Sequence, residues 1–351
     1  MIHGHGDYGG GIVADFSTNV WQDGEPPGLK EYLFRRWEQI HHYPEVSGER
    51  LAIAAARHHQ IAPANILITN GAVESIYLLA QAFSGRRSAI VIPSFSEYED
   101  ACRMHSHQLQ FIPYHHLDAP TLRLNDPAPR LDDPTLHLPG PTPRLPDLLW
   151  LGNPNNPTGA VITNMESLLR QHPNTLFIVD EAFIEFTRAI QSLTPLLKVY
   201  PNLVILRSLT KSFAIPGLRL GYTMASPAII HRLRALKMPW SVNTLALAAG
   251  HFIFENYRTI PLDGLLKAKD IFIQQLSSPD LHIFDSHTHY FLCRTEHGSV
   301  IELQQYLLDN HRVAIRNAEN FRGLGPGHFR LATLSPHQNR LLTHALKEWR
   351  L

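Results

Sequence analysis

Ser208-Leu209-Thr210-Lys211-Ser212-Phe213-Ala214-Ile215-Pro216-Gly217-Leu218-Arg219 is the stretch whose reading decides the fold. Before it runs Leu203-Val204-Ile205-Leu206 and after it Leu220-Gly221-Tyr222-Thr223-Met224, two apolar segments of buried-strand length. Between them the quoted stretch holds three hydroxyls, Ser208 and Thr210 before the lysine and Ser212 after it, one lysine and one arginine, with Pro216-Gly217 to turn the chain. A lysine at a strand end has little access to water, which lowers its pKa and frees its amine as a nucleophile. Ser208, Thr210 and the fork of Arg219 together suit a phosphate dianion. Taken alone, Lys211 is also readable as an ordinary solvated lysine, so the rest of the chain has to decide.

The 351 residues allow about two domains on a prior of ~150 residues each. Apolar residues make up 44% and charged residues 18%, the balance of a globular protein, and the net charge of zero offers nothing to nucleic acid or an anionic membrane. Two cysteines, Cys102 and Cys293, make no disulfide framework and fit a reducing compartment. The first residues, Met1-Ile2-His3-Gly4-His5-Gly6-Asp7, lack the apolar core of a secretory signal, and no run reaches ~18 apolar residues. The expectation is a soluble cytoplasmic protein. Of the 22 histidines several are paired, as in His41-His42 and His58-His59, but none has a zinc-motif spacing, so no metal site is expected.

In order, residues 1–20 are glycine-rich and lead to Asp15-Phe16-Ser17-Thr18-Asn19, either a mobile arm or a frayed end. Leu29–Gln39 and Leu51–His59 read as helices, with His42-Tyr43-Pro44 as a break between them. Asn65–Thr69 reads as a strand, and Asn70-Gly71-Ala72-Val73-Glu74 turns into a helix over Ser75–Phe83, whose free N–H groups would seat an anion. Ser88–Ile92 is a second strand, followed by Tyr98, which suits either the core or the face of a flat ring. Residues 113–146 hold nine prolines and read as a surface excursion or edge hairpin. Leu148–Leu151 is a strand ending in the rigid turn Asn153-Pro154-Asn155-Asn156-Pro157-Thr158-Gly159. Thr175–Val179 is another strand and ends at Asp180, a carboxylate that needs a cation or donors when buried. Helix capping is the competing use of Asp180. Beyond the lysine segment come helices at Ile229–Leu236 and from Thr244, interrupted by Pro239-Trp240-Ser241-Val242-Asn243. From about Leu281 the chain becomes α+β, with short strands at His282–Phe284, Tyr290–Cys293 and Val313–Arg316 and helices at Ser299–Asn310 and His337–Trp349.

These pieces make one inventory: an amine, a phosphate seat, an aromatic plate, an oriented amide and a buried carboxylate. In order and spacing, Asn153–Gly159, Asp180-Glu181-Ala182 and Ser208-x-Thr210-Lys211 with Arg219 resemble the fold-type I pyridoxal phosphate (PLP) enzymes over nearly the whole length. The resemblance implies an α/β fold: a large domain (36–245) with a mostly parallel sheet between helices, a smaller α+β domain (246–351) and an N-terminal arm (1–35). It implies that Lys211 carries PLP, Asp180 pairs with the ring nitrogen, Asn156 bonds the ring's 3-oxygen and Tyr98 stacks on the ring. Ser208, Thr210, Arg219 and the N–H groups of Ala72 and Val73 would hold the phosphate. Tyr43 would reach the phosphate in a second subunit, hence a homodimer with shared sites, and Arg330 would take the substrate carboxylate. Phe183 departs from the pattern, since aminotransferases usually place there a tyrosine that also bonds the 3-oxygen.

Finer features are similar to the threonine-phosphate decarboxylases of cobalamin biosynthesis: Asp15-Phe16-Ser17-x-Asn19, Pro239-Trp240-Ser241-Val242-Asn243, and Arg316 followed by Asn320-Phe321-Arg322-Gly323-Leu324. Asn19 is not followed by the Asn-Pro-Leu-Gly usual there. Such an enzyme turns L-threonine O-3-phosphate into (R)-1-amino-2-propanol O-2-phosphate and CO2, and Arg316, Asn19 and His5 are the candidates for the substrate phosphate. Histidinol-phosphate aminotransferases share most of these motifs and form the alternative; a non-enzymatic ligand sensor is a third reading, which lacks the DNA-binding domain such regulators carry.

Overall fold

The computed structural model describes residues 11–113, 121–122, 146–256, 259–296 and 298–349. Its larger sheet holds strands β1 (Ile66–Thr69), β2 (Arg87–Ile92), β3 (Gln108–Pro113), β4 (Leu148–Gly152), β5 (Leu176–Asp180), β6 (Leu203–Ser208) and β7 (Gly221–Ala225). They lie in the order β1-β7-β6-β5-β4-β2-β3. Only β7 runs antiparallel to its neighbours; every other pair is parallel. A parallel sheet is covered on both faces, so its strands need apolar residues on both. Within β4, Leu149 and Leu151 join one core with Leu51, Val179 and Ile205, while Leu148 and Trp150 join the opposite core with Ile76, Ile90 and Leu206. The strand period of two thus divides one apolar run between two layers.

Register then fixes the site. Gly152 lies opposite Asp180, Asp180 opposite Leu206, Ser208 opposite Gly221, and Gly221 opposite Thr69. The carboxyl ends of β1, β4, β5 and β6 therefore share one rim, the edge where ligands of open α/β sheets lie.

The second sheet is antiparallel, β8 (Leu281–Ile283), β9 (Tyr290–Thr295), β10 (Arg316–Asn317) and β11 (His328–Ala332), in the order β8-β9-β11-β10. It packs with the helix Leu262–Leu276 and the helix Pro336–Glu348 around Phe272, Phe291, Phe329 and Leu342. An N-terminal segment, Ala14–Asp15, pairs in parallel with Val313–Ala314.

Several expected elements shift. The helix expected from Ser75 runs Gly71–Ala82, because the Glu74 carboxylate reaches back to the Asn70 N–H at 2.5 Å and closes an earlier first turn. The helix expected over Leu29–Gln39 stops at Phe34 and gives way to a 3-10 turn over Trp37–His41. The strand expected over Val313–Arg316 divides at Ile315, since its first half pairs with Ala14–Asp15 and its second with β11. Of residues 113–146 the structure describes only Pro113, Thr121–Leu122 and Pro146. Thr121–Leu122 forms a parallel pair with Val161–Ile162. His5 lies outside the described residues. Both cysteines are buried and unpaired with each other, and no described helix is long and apolar enough to cross a membrane.

Candidate active site at the rim of the large sheet

Asp180 closes β5 and is buried. One carboxylate oxygen accepts the Tyr98 hydroxyl at 2.9 Å and the other the Ala182 N–H at 2.9 Å. Burial pushes its pKa up, while those two donors and the Lys211 ammonium pull the other way. Its neighbour Glu181 is also buried but faces different partners: Arg207 at 3.4 Å, the Ser192 hydroxyl at 2.7 Å and the Leu193 N–H at 2.7 Å. Of the two acids, Glu181 ties the sheet together and Asp180 is the one set toward the lysine.

Lys211 follows β6 by three residues. Its residue surface is only partly open, and protein surrounds it on most sides. Burial, then the guanidiniums of Arg330 and Arg219, lower its pKa to about 8 against the opposing pull of Asp180. The Trp21 N–H donates to the Lys211 carbonyl at 3.1 Å, so the N-terminal segment crosses directly over the lysine.

Beside it the Ser208 and Thr210 hydroxyls stand 2.8 Å apart, both buried. Arg219 takes a left-handed conformation after the 3-10 turn Pro216–Leu218. That turn sets its guanidinium against Gly71, where an added Cβ would lie 2.7 Å from a guanidinium nitrogen and φ is +74°. At Gly221 a Cβ would lie 2.7 Å from the Ala72 nitrogen. The two glycines let the helix N-terminus carrying Ala72 and Val73 approach β7 and Arg219 closely. A helix N-terminus, an arginine and two hydroxyls are a phosphate-binding set.

Above the rim, Asn156 accepts a hydrogen bond at its Oδ1 from Arg330, which also donates to the Ser17 carbonyl. Arg330 is 1% exposed, its Nε has no partner, and among the described residues it forms no ion pair with a carboxylate. Burial, then Arg316, bring its pKa down to about 9. Arg316 is its partner in the β10–β11 register. Its guanidinium donates to the Asn317 carbonyl and to Asn320 Oδ1 at 3.0 Å, and sits 5.0 Å from the centre of the Phe321 ring. Asn19 is buried with its Oδ1 unpartnered and its carbonyl 3.2 Å from His289 Nε2. Phe183 is buried among Phe186, His289 and Tyr290. Tyr43 stands apart, 86% exposed, with its ring 5.5 Å from that of Trp240.

The amine, the carboxylate, the phosphate set and Asn156 with Arg330 thus converge, and the buried unpartnered atoms of Arg330 and Asn19 fit a polar group arriving at the rim. The donor set fits PLP. Sequence reasoning missed the Tyr98–Asp180 bond and had no signal for His289 or Tyr290, whose contacts depend on the second sheet.

The model of the family "Aminotransferase class I and II" matches residues 13–347. The threonine-phosphate decarboxylase of Salmonella typhimurium is 36% identical over 95% of this chain and 90% of its own. The solved structure of L-threonine-O-3-phosphate decarboxylase from Porphyromonas gingivalis superposes with a TM-score of 0.85 at 35% identity, covering 96% of this chain and 99% of that one. The histidinol-phosphate aminotransferase of Clostridium acetobutylicum follows at 0.81 and 26%, over 96% and 99%. With its lysine, aspartate and phosphate set on one sheet rim, the chain belongs to the class I and II aminotransferase family.

Proposed function

We propose that this protein is a PLP-dependent lyase that decarboxylates L-threonine O-3-phosphate to (R)-1-amino-2-propanol O-2-phosphate, the reaction that serves cobalamin biosynthesis. The observation that carries the reading is the facing pair Arg316 and Arg330 on adjacent strands, both buried. The Arg330 Nε has no partner, so a substrate carboxylate would satisfy it, and the guanidinium opposite it on Arg316 suits a second anionic group. The relatives named above support decarboxylation as the outcome.

Lys211 would attach the cofactor, Asp180 would pair with its ring nitrogen and Asn156 with its 3-oxygen; Tyr98, expected on the ring's face, is instead buried with its ring on Trp150, and its hydroxyl would brace Asp180. Ser208, Thr210, Arg219 and the N–H groups of Ala72 and Val73 would take its phosphate. When bound, PLP supplies an electron sink for the pair released at the substrate Cα. Arg330 orients the carboxylate, Arg316 with Asn19 and His5 anchors the substrate phosphate, and the two anchors together set the rotation about N–Cα. That rotation decides whether the Cα–carboxylate bond or the Cα–H bond breaks. Lys211 Nζ would return a proton to Cα, a task suited to an amine whose pKa burial and two guanidiniums bring down to about 8.

Incubation of the holoenzyme with L-threonine O-3-phosphate should release CO2 and the amine phosphate in equal amounts. Transamination of histidinol phosphate with 2-oxoglutarate, and no CO2, overturns the reading. Arg316→Ala should cost about 2–4 kcal/mol, on the order of 30- to 1000-fold in kcat/KM for threonine phosphate, and leave unphosphorylated threonine nearly unaffected.

The working form we propose is a cytoplasmic homodimer with shared sites, built from an arm (1–35), a large domain (36–245) and a small domain (246–351). The helix Thr244–Glu255 spans the last boundary and packs on the large sheet's core. Phe34, Trp37, Ile40, Tyr43, Met238 and Trp240 are exposed large side chains, with Phe34 beside Trp37 and Tyr43 beside Trp240, and exposed apolar surface of this kind suits a subunit contact. Of these, Tyr43 lines a cleft of ≈ 450 Å³ together with Tyr32, His42 and His251. Mixing Tyr43→Phe chains with Lys211→Ala chains should regenerate one intact site in each mixed dimer, roughly a quarter of wild-type activity in an equal mixture. A mixture no more active than the average of the two single variants refutes the shared site.

A further inference from the structure

Tyr290 opens β9 and is 0% exposed. Its hydroxyl donates to the Asn155 carbonyl at 2.8 Å, one residue before Asn156. The Arg330 guanidinium carbon lies 5.7 Å from the centre of its ring, within cation–π range. The register explains this contact: Arg330 lies opposite Leu292, two residues along β9 and on the same face as Tyr290. The ring edge also meets Phe183 at 4.9 Å and 68°. Arg330 in turn bonds Asn156 Oδ1, so the contacts close into a ring: Tyr290 to Asn155, Asn156 to Arg330, and Arg330 back to Tyr290. The same segment of chain docks on the Asn-Pro turn a second time, through the His287 N–H to the Gly159 carbonyl at 3.0 Å.

Asn156 belongs to the large sheet's rim and Arg330 to the second sheet, and the Tyr290 side chain touches both their segments. We propose that Tyr290 is a positioning residue that locks Arg330 and Asn156 together and thereby sets the orientation in which the site takes a substrate carboxylate. This rests on the reading of Arg330 as the carboxylate anchor. A tyrosine that only filled the core would affect every ligand alike. One that acts through Arg330 affects ligands that carry a carboxylate.

The test measures, by rapid-mixing absorbance before turnover, the binding of two ligands to the holoenzyme: L-threonine O-3-phosphate, and (R)-1-amino-2-propanol O-2-phosphate, which lacks the carboxylate. Tyr290→Phe deletes the hydroxyl and keeps the ring and the packing against Phe183. It should weaken the carboxylate ligand about 5- to 30-fold while the amine phosphate changes less than about twofold. Tyr290→Met, which also removes the ring face, should widen that gap. Arg330→Gln serves as the reference and should show the same selectivity. If Arg330→Gln is selective and Tyr290→Phe and Tyr290→Met weaken both ligands equally, or neither, the positioning role is overturned. If Arg330→Gln is itself unselective, the carboxylate reading fails and the Tyr290 proposal fails with it.

Discussion

Lys211→Ala should abolish turnover, a loss of at least ~10⁴-fold of the size seen when a covalent catalytic group is deleted. The Lys211 amine stands at the rim with the Asp180 carboxylate and the Arg219 guanidinium both near enough to influence its charge. Treating the wild-type protein with PLP and borohydride, then mapping peptides, should place the label on Lys211. Label on a different lysine overturns the assignment. The pH dependence adds a second check. Burial and two guanidiniums favour the neutral amine, so its pKa falls from 10.5 to about 8. The neutral form attacks an aldehyde, so the rate at which the apoprotein takes up PLP should rise through pH 8 and then level off. A rate still climbing above pH 10 contradicts the perturbed amine.

Asp180→Asn should lower kcat on the order of 10²- to 10³-fold, the scale of losing one preorganised electrostatic partner. The substitution is nearly isosteric, and an amide oxygen still accepts from the Tyr98 hydroxyl or the Ala182 N–H, so the fold should survive. What disappears is the negative charge. That charge raises the Lys211 pKa, so the midpoint of the uptake profile should move below pH 8 in the variant. A midpoint that moves upward, or a kcat within threefold of wild type, sinks the role given to Asp180. Glu181→Gln provides the contrast: its partners are Arg207, Ser192 and Leu193, so its effect should fall on stability rather than on the titration.

The rim was largely legible in the sequence because its chemistry is local. Asp180, Ser208 and Lys211 each end or follow an apolar run, and a strand end in a parallel sheet is where a polar side chain meets a ligand. Asn156 was legible for a similar reason, since a turn of Asn and Pro follows directly on a strand. What the sequence left closed depends on contacts far apart along the chain. Nothing near Tyr290 announces that its hydroxyl meets Asn155, 135 residues away. The Tyr98–Asp180 bond spans 82 residues and equally had no local signal. The early start of the helix at Gly71 was hidden because a glycine reads first as a turn, and the Glu74 contact that supports the first helical turn is not visible along the sequence.

Ala14–Asp15 pairs with Val313–Ala314, almost three hundred residues later, and the Phe16 carbonyl accepts the Ala332 N–H. During synthesis at ~5–20 residues per second, this segment waits on the order of 15–60 s for its partner to emerge from the ribosome. Meanwhile the larger sheet has all its strands by Ala225, and the helix Thr244–Glu255 that covers one of its cores is made soon after. The lysine loop would then exist before the Trp21 N–H is held over it by a finished second sheet. Newly made chains should therefore pass through a stage with a folded rim and an unsecured leading segment, in which proteases cut between residues 11 and 24 and chaperones find Phe16 uncovered.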